Sequence, residues 1–189
     1  MRKSILLCGV GGQGTILISK ILTAGLMELG YDVKMSEIHG MSQRGGSVVT
    51  MIKYGEKVYA PNIGFGEADM IISFEKTEGV RALPYLKQGG KLITDAHEIF
   101  SVPVLTGAAE YPHDAIEKLK QAGAAVTVIN AAETAKQLGN SKAQNIVLLG
   151  AFVKAMQLER VDWKALIRKY VPAKAVEMNL AAFDAGYAM

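Results

Sequence analysis

The first 36 residues alternate between short apolar runs and a longer segment with helical periodicity. Residues 5–8 form an apolar run, which predicts a strand buried on both faces. Apolar residues then recur at helical spacing over 14–29, and Gly30 stands where a helix C-cap glycine belongs. A second short strand is predicted at 33–36. This order predicts a βαβ unit, whose strands pair in parallel through a right-handed crossover.

Strands and helices continue to alternate along the rest of the chain. Further strands are predicted at 47–54, with a hairpin return at 57–59, and at 68–74, 91–94, 103–105 and 125–129. Helices are predicted at 76–87, 112–121, 131–138, 143–158 and 162–170 and from 172 onwards, and Gly89-Gly90 predicts a turn. We therefore expect an α/β fold. It would be a Rossmann-like three-layer sandwich with a mostly parallel sheet and a C-terminal helical segment.

Two C-terminal segments carry enough apolar surface for either the core or an interface. The helix predicted over 143–158 is apolar almost all round, and the last helix carries one apolar stripe. The stripe consists of Val176, Leu180, Phe183 and Tyr187. Burial within the protein is favoured for both segments over contact with a partner. Trp163 is either a core aromatic or an interface anchor.

Charge and hydropathy exclude two classes of partner. The chain has 21 Lys and Arg against 18 Asp and Glu, and no run of five or six like charges. A nucleic-acid interface normally needs clustered basic residues, so no nucleic-acid partner is expected. No apolar run reaches the roughly 18 residues of a membrane span, and the N-terminal apolar stretch is too short for a signal peptide. We expect a cytoplasmic protein without a membrane contact.

Cysteine and histidine usage excludes most metal chemistry on this chain. Cys8 is the single cysteine, so no intrachain disulfide can form, which fits a reducing compartment. A four-iron cluster normally takes four cysteine ligands, which this chain cannot supply. The three histidines, His39, His97 and His113, show no metal-ligand spacing. We expect no metal site.

A glycine-rich loop follows the first strand. The residues 9–14 read Gly-Val-Gly-Gly-Gln-Gly and fit the G-x-G-x-x-G fingerprint in its required context, after a strand and before a helix. Glu37 follows the second strand, near the place of the acid that holds a dinucleotide's ribose. Gln13 is unusual for a nicotinamide site. Dinucleotide binding, binding of an anion at the helix start, and packing of helix on strand all stay open.

A second polar segment spans 36–46, at the carboxyl edge of the predicted sheet, where open α/β sheets bind ligands. It brings together Glu37, His39 and Arg44 with the glycines Gly45 and Gly46. Arg44 is suited to bidentate binding of a phosphate or a carboxylate. For His39 a solvated loop position is favoured. For Arg44-Gly45-Gly46 a binding or structural role is favoured.

Three segments carry a family resemblance. They are Gly9-Val10-Gly11-Gly12-Gln13-Gly14, Ser36-Glu37-Ile38-His39-Gly40-Met41-Ser42-Gln43-Arg44-Gly45-Gly46-Ser47-Val48, and Asn145-Ile146-Val147-Leu148-Leu149-Gly150-Ala151. Together they resemble the gamma-type domain of the 2-oxoacid:ferredoxin oxidoreductase family. The second segment resembles the form found in the indolepyruvate oxidoreductase beta branch. The resemblance covers essentially the whole chain and implies one pyruvate/ketoisovalerate oxidoreductase gamma-type catalytic domain over 1–189.

The resemblance implies an accessory subunit of a hetero-oligomer that is inactive alone. The complex would oxidatively decarboxylate aryl pyruvates to acyl-CoA, with coenzyme A as co-substrate and electrons passed to ferredoxin. Thiamine diphosphate and iron–sulfur clusters would lie on a large alpha subunit, because this chain has neither a Gly-Asp-Gly element nor a cysteine set. A free-standing nicotinamide- or flavin-dependent Rossmann oxidoreductase is the alternative, and a nucleotide-sensing or scaffold module is the third hypothesis.

No catalytic residue is assigned from the sequence. The expected cofactor-binding residues are Gly9, Gly11, Gly12, Gln13, Gly14, Glu37, His39, Arg44, Gly45 and Gly46.

Overall fold

One sheet of six strands organises the computed structural model, which describes residues 2–39 and 45–189 and, of His39, the backbone alone. The strands are β1 (Lys3–Val10), β2 (Asp32–His39), β3 (Ser47–Gly55), β4 (Ala68–Ser73), β5 (Leu86–Asp95) and β6 (Ala125–Ile129). They lie in the order β2-β3-β1-β4-β5-β6. β1, β4, β5 and β6 pair in parallel, whereas β3 is antiparallel to both β1 and β2. Every strand except β3 therefore has one direction, which confirms the predicted mostly parallel sheet.

Helices cover both faces of this sheet. They are α1 (Thr15–Glu28), α2 (Lys76–Ala82), α3 (Val102–Leu105), α4 (Ala115–Gln121), α5 (Ala131–Gln137), α6 (Gln144–Met156), α7 (Trp163–Tyr170) and α8 (Val176–Ala188). Ile5 and Leu7 of β1 belong to the core under α1 and α5 to α8, and Leu6 and Cys8 belong to the core under α2 and α4. Successive strand residues point to opposite faces, so one apolar strand supplies both cores. The three-layer prediction is confirmed.

The predicted pairing of the first two strands was wrong. β3 lies between β1 and β2, and pairs antiparallel with each over its length, from Lys3↔Tyr54 to Val10↔Ser47 on the β1 side. The chain returns between β2 and β3, so β2 becomes an edge strand instead of the neighbour of β1. A strand–helix–strand pattern predicts that β1 and β2 run in the same direction. It does not require them to be neighbours, so a strand from later in the sequence can lie between them.

Other predicted elements need correction. Residues 57–59 are not a strand, because the Val58 N–H donates to the Asp32 carboxylate at 2.9 Å instead of joining a ladder. Residues 103–105 lie in the short helix α3, not in a strand. The helix predicted to residue 87 ends at Ala82 and continues as a 3₁₀ turn that contains Pro84. Gly89-Gly90 lies within β5, at a register shift against β4, and not in a turn between elements.

The C-terminal helices pack within this chain. α6 is buried on every side from Gln144 to Val153, and it crosses α8 where Gly150 faces Gly186. The Trp163 ring packs against Gly25 of α1, and its indole N–H donates to the Leu158 carbonyl at 2.7 Å. The favoured interpretation, burial inside the protein, is confirmed for α6, and of the two alternatives left open for Trp163 the structure shows the core aromatic. None of the helices in the described part of the chain has the length and apolar content needed to span a bilayer.

Candidate functional site

The glycine loop lies at the carboxyl end of β1, where the parallel strands end. Gly14 caps α1 in the left-handed conformation, with φ of 83°. A Cβ at Gly14 would lie 2.5 Å from Nδ2 of Asn145 in α6, and a Cβ at Gly9 would lie 2.9 Å from the side chain of Phe74 after β4. Both glycines are therefore required by packing. By contrast, Gly12 has φ of 103° and open space where its Cβ would be.

The two N-terminal motifs meet through one backbone hydrogen bond. The Gly11 N–H donates to the Gly46 carbonyl at 2.8 Å. Gly45 precedes this contact with φ of 81°, a conformation that other residues adopt only with strain. The structure therefore brings together Gly11, Gly12, Gly45 and Gly46 of the predicted site. Arg44 lies outside the described residues, and so does the side chain of His39.

The side chain of Gln13 turns into the protein and connects three elements. Its Oε1 accepts from the Val10 N–H at 2.7 Å, at the end of β1. Its Nε2 donates to the Phe74 carbonyl at 2.8 Å, after β4, and to Oε1 of Gln144 in α6 at 3.2 Å. The crevice between β1 and β4, where the chain leaves the sheet in opposite directions, is thus filled by a carboxamide of the protein itself.

Gln144 extends this network to a buried carboxylate. Its Nε2 donates to the Phe74 carbonyl at 2.8 Å and to Oδ2 of Asp95 at 2.7 Å. Asp95 ends β5 with 1% of its surface exposed, and it also accepts from the backbone N–H groups of Ala132 and His97. Burial raises the pKa of the Asp95 carboxyl above its ordinary value, and the hydrogen bonds offset only part of this effect.

An open cleft of about 700 Å³ lies beside this network, and we call it the edge cleft. One wall is Gly12–Gly14 at the start of α1, and the others are the segment 95–99 after β5 and the starts of α5 and α6. Lys136 and Lys142 line it, together with Glu98 and Glu133. The first turn of a helix presents unpaired N–H groups, so this cleft can bind an anionic group.

A smaller cleft of about 290 Å³ lies on the other side of the glycine loop, and we call it the Glu37 cleft. Gly11 and Gly12 line it together with Glu37, Ile38 and Thr50 of β2 and β3. The buried Ser19 hydroxyl of α1 donates to the Glu37 carboxylate at 3.1 Å. Glu37 is therefore placed beside the glycine loop, as predicted, although β3 separates its strand from β1.

Sequence reasoning missed the buried polar residues that support the loop. Gln144, Asn145 and Asp95 contribute directly, and none was predicted as a site residue. Asp95 had a usable signal, since it is a carboxylate that ends a buried apolar run. Asn145 begins the third segment of the family resemblance. Its Nδ2 donates to the Gly14 carbonyl at 3.1 Å.

The described residues of the site offer groups that can bind a ligand. Within residues 2–39 and 45–189, no three His, Cys, Asp or Glu side chains are placed to hold a metal ion. Burial raises the pKa of the Cys8 thiol to about 12, so it stays protonated at neutral pH. Both oxygens of the Asp95 carboxylate accept hydrogen bonds from the protein. The clefts on either side of the glycine loop have room for a ligand.

The fold defines a Rossmann-like α/β protein with a glycine loop and two clefts at the carboxyl edge of its sheet. A family model described as pyruvate ferredoxin/flavodoxin oxidoreductase matches residues 4–189. The chain belongs to this family.

Relatives and solved structures agree with this assignment. The chain is 38% identical over 188 residues to indolepyruvate oxidoreductase subunit IorB of Thermococcus kodakarensis, covering 97% of this chain and 93% of that protein. The gamma subunit of a keto/oxoacid ferredoxin oxidoreductase from Geobacter sulfurreducens has a TM-score of 0.72 at 24% identity, covering 98% of this chain and 96% of that one. The 2-oxoglutarate:ferredoxin oxidoreductase of Magnetococcus marinus has a TM-score of 0.76 at 21% identity, covering 99% of this chain and 30% of that one.

Proposed function

We propose that this chain is the small accessory subunit of a 2-oxoacid:ferredoxin oxidoreductase, acting on indolepyruvate and other aryl pyruvates. The complex would oxidatively decarboxylate the 2-oxoacid to an acyl-CoA and pass the electrons to ferredoxin. The observation that carries this proposal is the 38% identity to an indolepyruvate oxidoreductase subunit over nearly the whole chain. The contact between Gly11 and Gly46 supports it, because it joins the two N-terminal motifs of the resemblance.

The redox cofactors would lie on a large partner subunit. An iron–sulfur cluster does not fit this chain, since its single cysteine has 1% of its surface exposed and lies inside a strand. Thiamine diphosphate supplies carbanion stabilisation when bound, and iron–sulfur clusters supply electron transfer. Because neither group has ligands here, the chain would be inactive without its partner.

This chain would contribute binding, shape and exclusion of water at the shared active site. Coenzyme A is the co-substrate whose phosphate groups suit residues present here. Lys136 and Lys142 lie in the edge cleft beside Gly12 and Gly14. The remaining predicted contacts with a ligand, in the site shared with the large subunit, are Glu37, His39, Arg44, Gly45 and Gly46.

The main alternative is a free-standing nicotinamide- or flavin-dependent oxidoreductase. Glu37 favours it, since its carboxylate lines a cleft with Gly11 and Gly12 and could accept from a ribose hydroxyl. Two contacts oppose it. The Gly11 N–H is already donated to Gly46, and the Gln13 carboxamide fills the crevice between β1 and β4. We therefore favour the subunit.

Anaerobic purification of the chain from its native cells tests the proposal. We expect a large subunit to copurify, and to contain thiamine diphosphate by mass spectrometry and iron–sulfur clusters by visible absorbance. The melting temperature of the isolated chain should not change when nicotinamide or flavin dinucleotides are added. A ligand that binds only the native state raises the melting temperature, so an unchanged value indicates that no dinucleotide binds. A chain that purifies alone with a bound dinucleotide contradicts the proposal.

A further inference from the structure

The segment 98–113 forms a loop between β5 and α4, and one lysine joins its two ends; we call it the apolar loop. The Lys76 ammonium of α2 forms an ion pair with Glu98, at the start of the loop, and donates to the His113 carbonyl at 3.3 Å, at its end. Nδ1 of His113 also lies 3.3 Å from Oε1 of Glu98. The Lys76 side chain is only 8% exposed, so the ammonium group is held from the protein interior. A compact surface loop with joined ends is a frequent carrier of function.

A second set of contacts fixes the loop from inside. The Tyr111 hydroxyl donates to the Glu75 carboxylate, which has 1% of its surface exposed. The rings of Phe100 and Tyr111 pack with their centroids 5.0 Å apart. These contacts hold both ends of the loop in place before any partner binds. Such preorganisation lowers the entropy lost on binding.

The tip of this loop is uncharged and apolar. The eleven residues 99–109 read Ile-Phe-Ser-Val-Pro-Val-Leu-Thr-Gly-Ala-Ala, in a chain in which 21% of residues are charged. Val102 and Leu105 are each 68% exposed and Phe100 is 44% exposed. Single exposed apolar residues are normal on soluble proteins, but a cluster held rigidly in water marks an interaction site.

The tip lies next to the glycine loop. A cavity of about 320 Å³ is lined by Val104 and Tyr111 of the apolar loop together with Val10, Gly45 and Ser47. Ile99 reaches from this cavity to the edge cleft. A protein that covers the tip therefore also covers the carboxyl edge of the sheet.

We infer that the apolar loop anchors this chain to its large partner subunit, on an uncharged apolar surface of that subunit. The inference rests on the proposed function. A stable interface buries about 800 Å² on each partner, far more than three side chains supply, so the partner must extend over the neighbouring glycine loop and edge cleft. The same fold forms 30% of a longer oxidoreductase chain, so in that protein it is covalently linked to a much larger remainder. If a second copy of this chain bound here, the carboxyl edges of the two sheets would cover each other, and neither would be open to the large subunit.

Charge placed on the tip tests the inference in the assembled complex. Val102→Asp and Leu105→Asp are compared with Met27→Asp and Tyr59→Asp. The two controls are 59% and 77% exposed and lie at the opposite, amino edge of the sheet. The partner is the large subunit that copurifies with the wild-type chain and contains thiamine diphosphate and iron–sulfur clusters. Dissociation constants are measured anaerobically by calorimetry, and melting temperatures of the isolated chains check folding.

We expect each tip variant to weaken binding at least about tenfold, as burying an unpaired charge at an interface anchor does, and each control less than about threefold. All four melting temperatures should stay within about 2 °C of wild type, because the altered side chains are exposed. Tip variants that bind like the controls overturn the inference and leave the subunit function standing. A wild-type dimer that Val102→Asp dissociates assigns the loop to a second copy and also overturns it. A wild-type chain that binds no such subunit overturns both.

Discussion

The side chain of Gln13 occupies the crevice at the carboxyl ends of β1 and β4. Its side chain satisfies the Val10 N–H and the Phe74 carbonyl at the ends of two neighbouring strands. Buried backbone groups left without a partner are costly, so this contact stabilises the loop before any ligand arrives. A Cβ at Gly9 would lie 2.9 Å from Oε1 of Gln13, so this glycine allows close packing around that side chain, whereas Gly12 has open space where its Cβ would be.

Removing this carboxamide should destabilise the protein. We expect Gln13→Ala to lower the free energy of unfolding by about 1–3 kcal/mol, because the Val10 N–H loses its acceptor. Urea denaturation measures the effect. The exposed Gln137→Ala in α5 is the control, and should change stability by less than about 0.5 kcal/mol. Equal effects of the two substitutions contradict the assigned role of Gln13.

Cys8 should be chemically inert in the folded protein. Its thiol is 1% exposed, and burial raises its pKa to about 12. Because the thiolate is the reactive form, we expect no alkylation by iodoacetamide at pH 8 in native buffer, and complete alkylation in urea. Mass spectrometry counts the added groups. Rapid native labelling contradicts the burial of this strand.

Asp95 should make stability depend on pH in a defined direction. Its pKa is raised in the folded protein, so the folded state holds the proton better than the unfolded state does. Stability from this group is present below the ordinary aspartate pKa, about 3.9, and is lost as pH rises through the raised value. Asn does not titrate, so the free energy of unfolding of Asp95→Asn should rise relative to wild type across this window. The free energies of unfolding are measured by urea denaturation. If the difference between Asp95→Asn and wild type stays constant or falls as pH rises, the raised pKa of Asp95 is contradicted.

Part of the site could be predicted at the residue scale. The spacing of Gly9, Gly11 and Gly14 and the acid Glu37 identified a loop and a neighbouring carboxylate, because these features are local in sequence. The direction of the Gln13 side chain was not predictable, since its partner Gln144 lies 131 positions away. Long-range side-chain contacts leave no periodic signal in the chain.

At the element scale, the crossing of α6 and α8 is set by two glycines. A Cβ at Gly150 would lie 2.2 Å from the Phe183 carbonyl oxygen, and a Cβ at Gly186 would lie 1.9 Å from the Val147 carbonyl oxygen. Both obstacles are backbone atoms, which cannot move without separating the helices. This close contact explains how a helix as apolar as α6 is buried on every side.

Gly186→Ala should therefore be destabilising, although alanine is the better helix former. In an exposed helix the change would gain up to about 1 kcal/mol, whereas overpacking here should cost about 1–3 kcal/mol. Ala181→Gly, at an exposed position of the same helix, measures the propensity effect and should cost about 0.5–1 kcal/mol. Thermal and urea unfolding measure the stability of both variants. A stabilised Gly186→Ala contradicts the close crossing of α6 and α8.

Element identity was largely predictable, and strand order was not. The predicted strand at 125–129 and helix at 131–138 agree with β6 and α5, because hydrophobic period and glycine positions specify them locally. The insertion of β3 between β1 and β2 depends on pairing with two strands that are distant or unmarked in the sequence pattern. Its alternating pattern indicates a strand but does not identify the strands with which it pairs.

For the whole molecule, the carboxyl edge of the sheet carries the glycine loop, the edge cleft, the Glu37 cleft and the apolar loop, while the helices bury the two faces. If this chain is the proposed accessory subunit, we expect the large subunit to cover this edge.

Reconstitution of the reaction tests whether this chain is a required accessory subunit. The purified large subunit, this chain, and an equimolar mixture are each assayed anaerobically for indolepyruvate-dependent and coenzyme A-dependent reduction of ferredoxin. We expect reduction by the mixture and none by this chain alone. A chain that reduces an acceptor alone, or a mixture no more active than the large subunit by itself, contradicts the claim that this chain is a required accessory subunit.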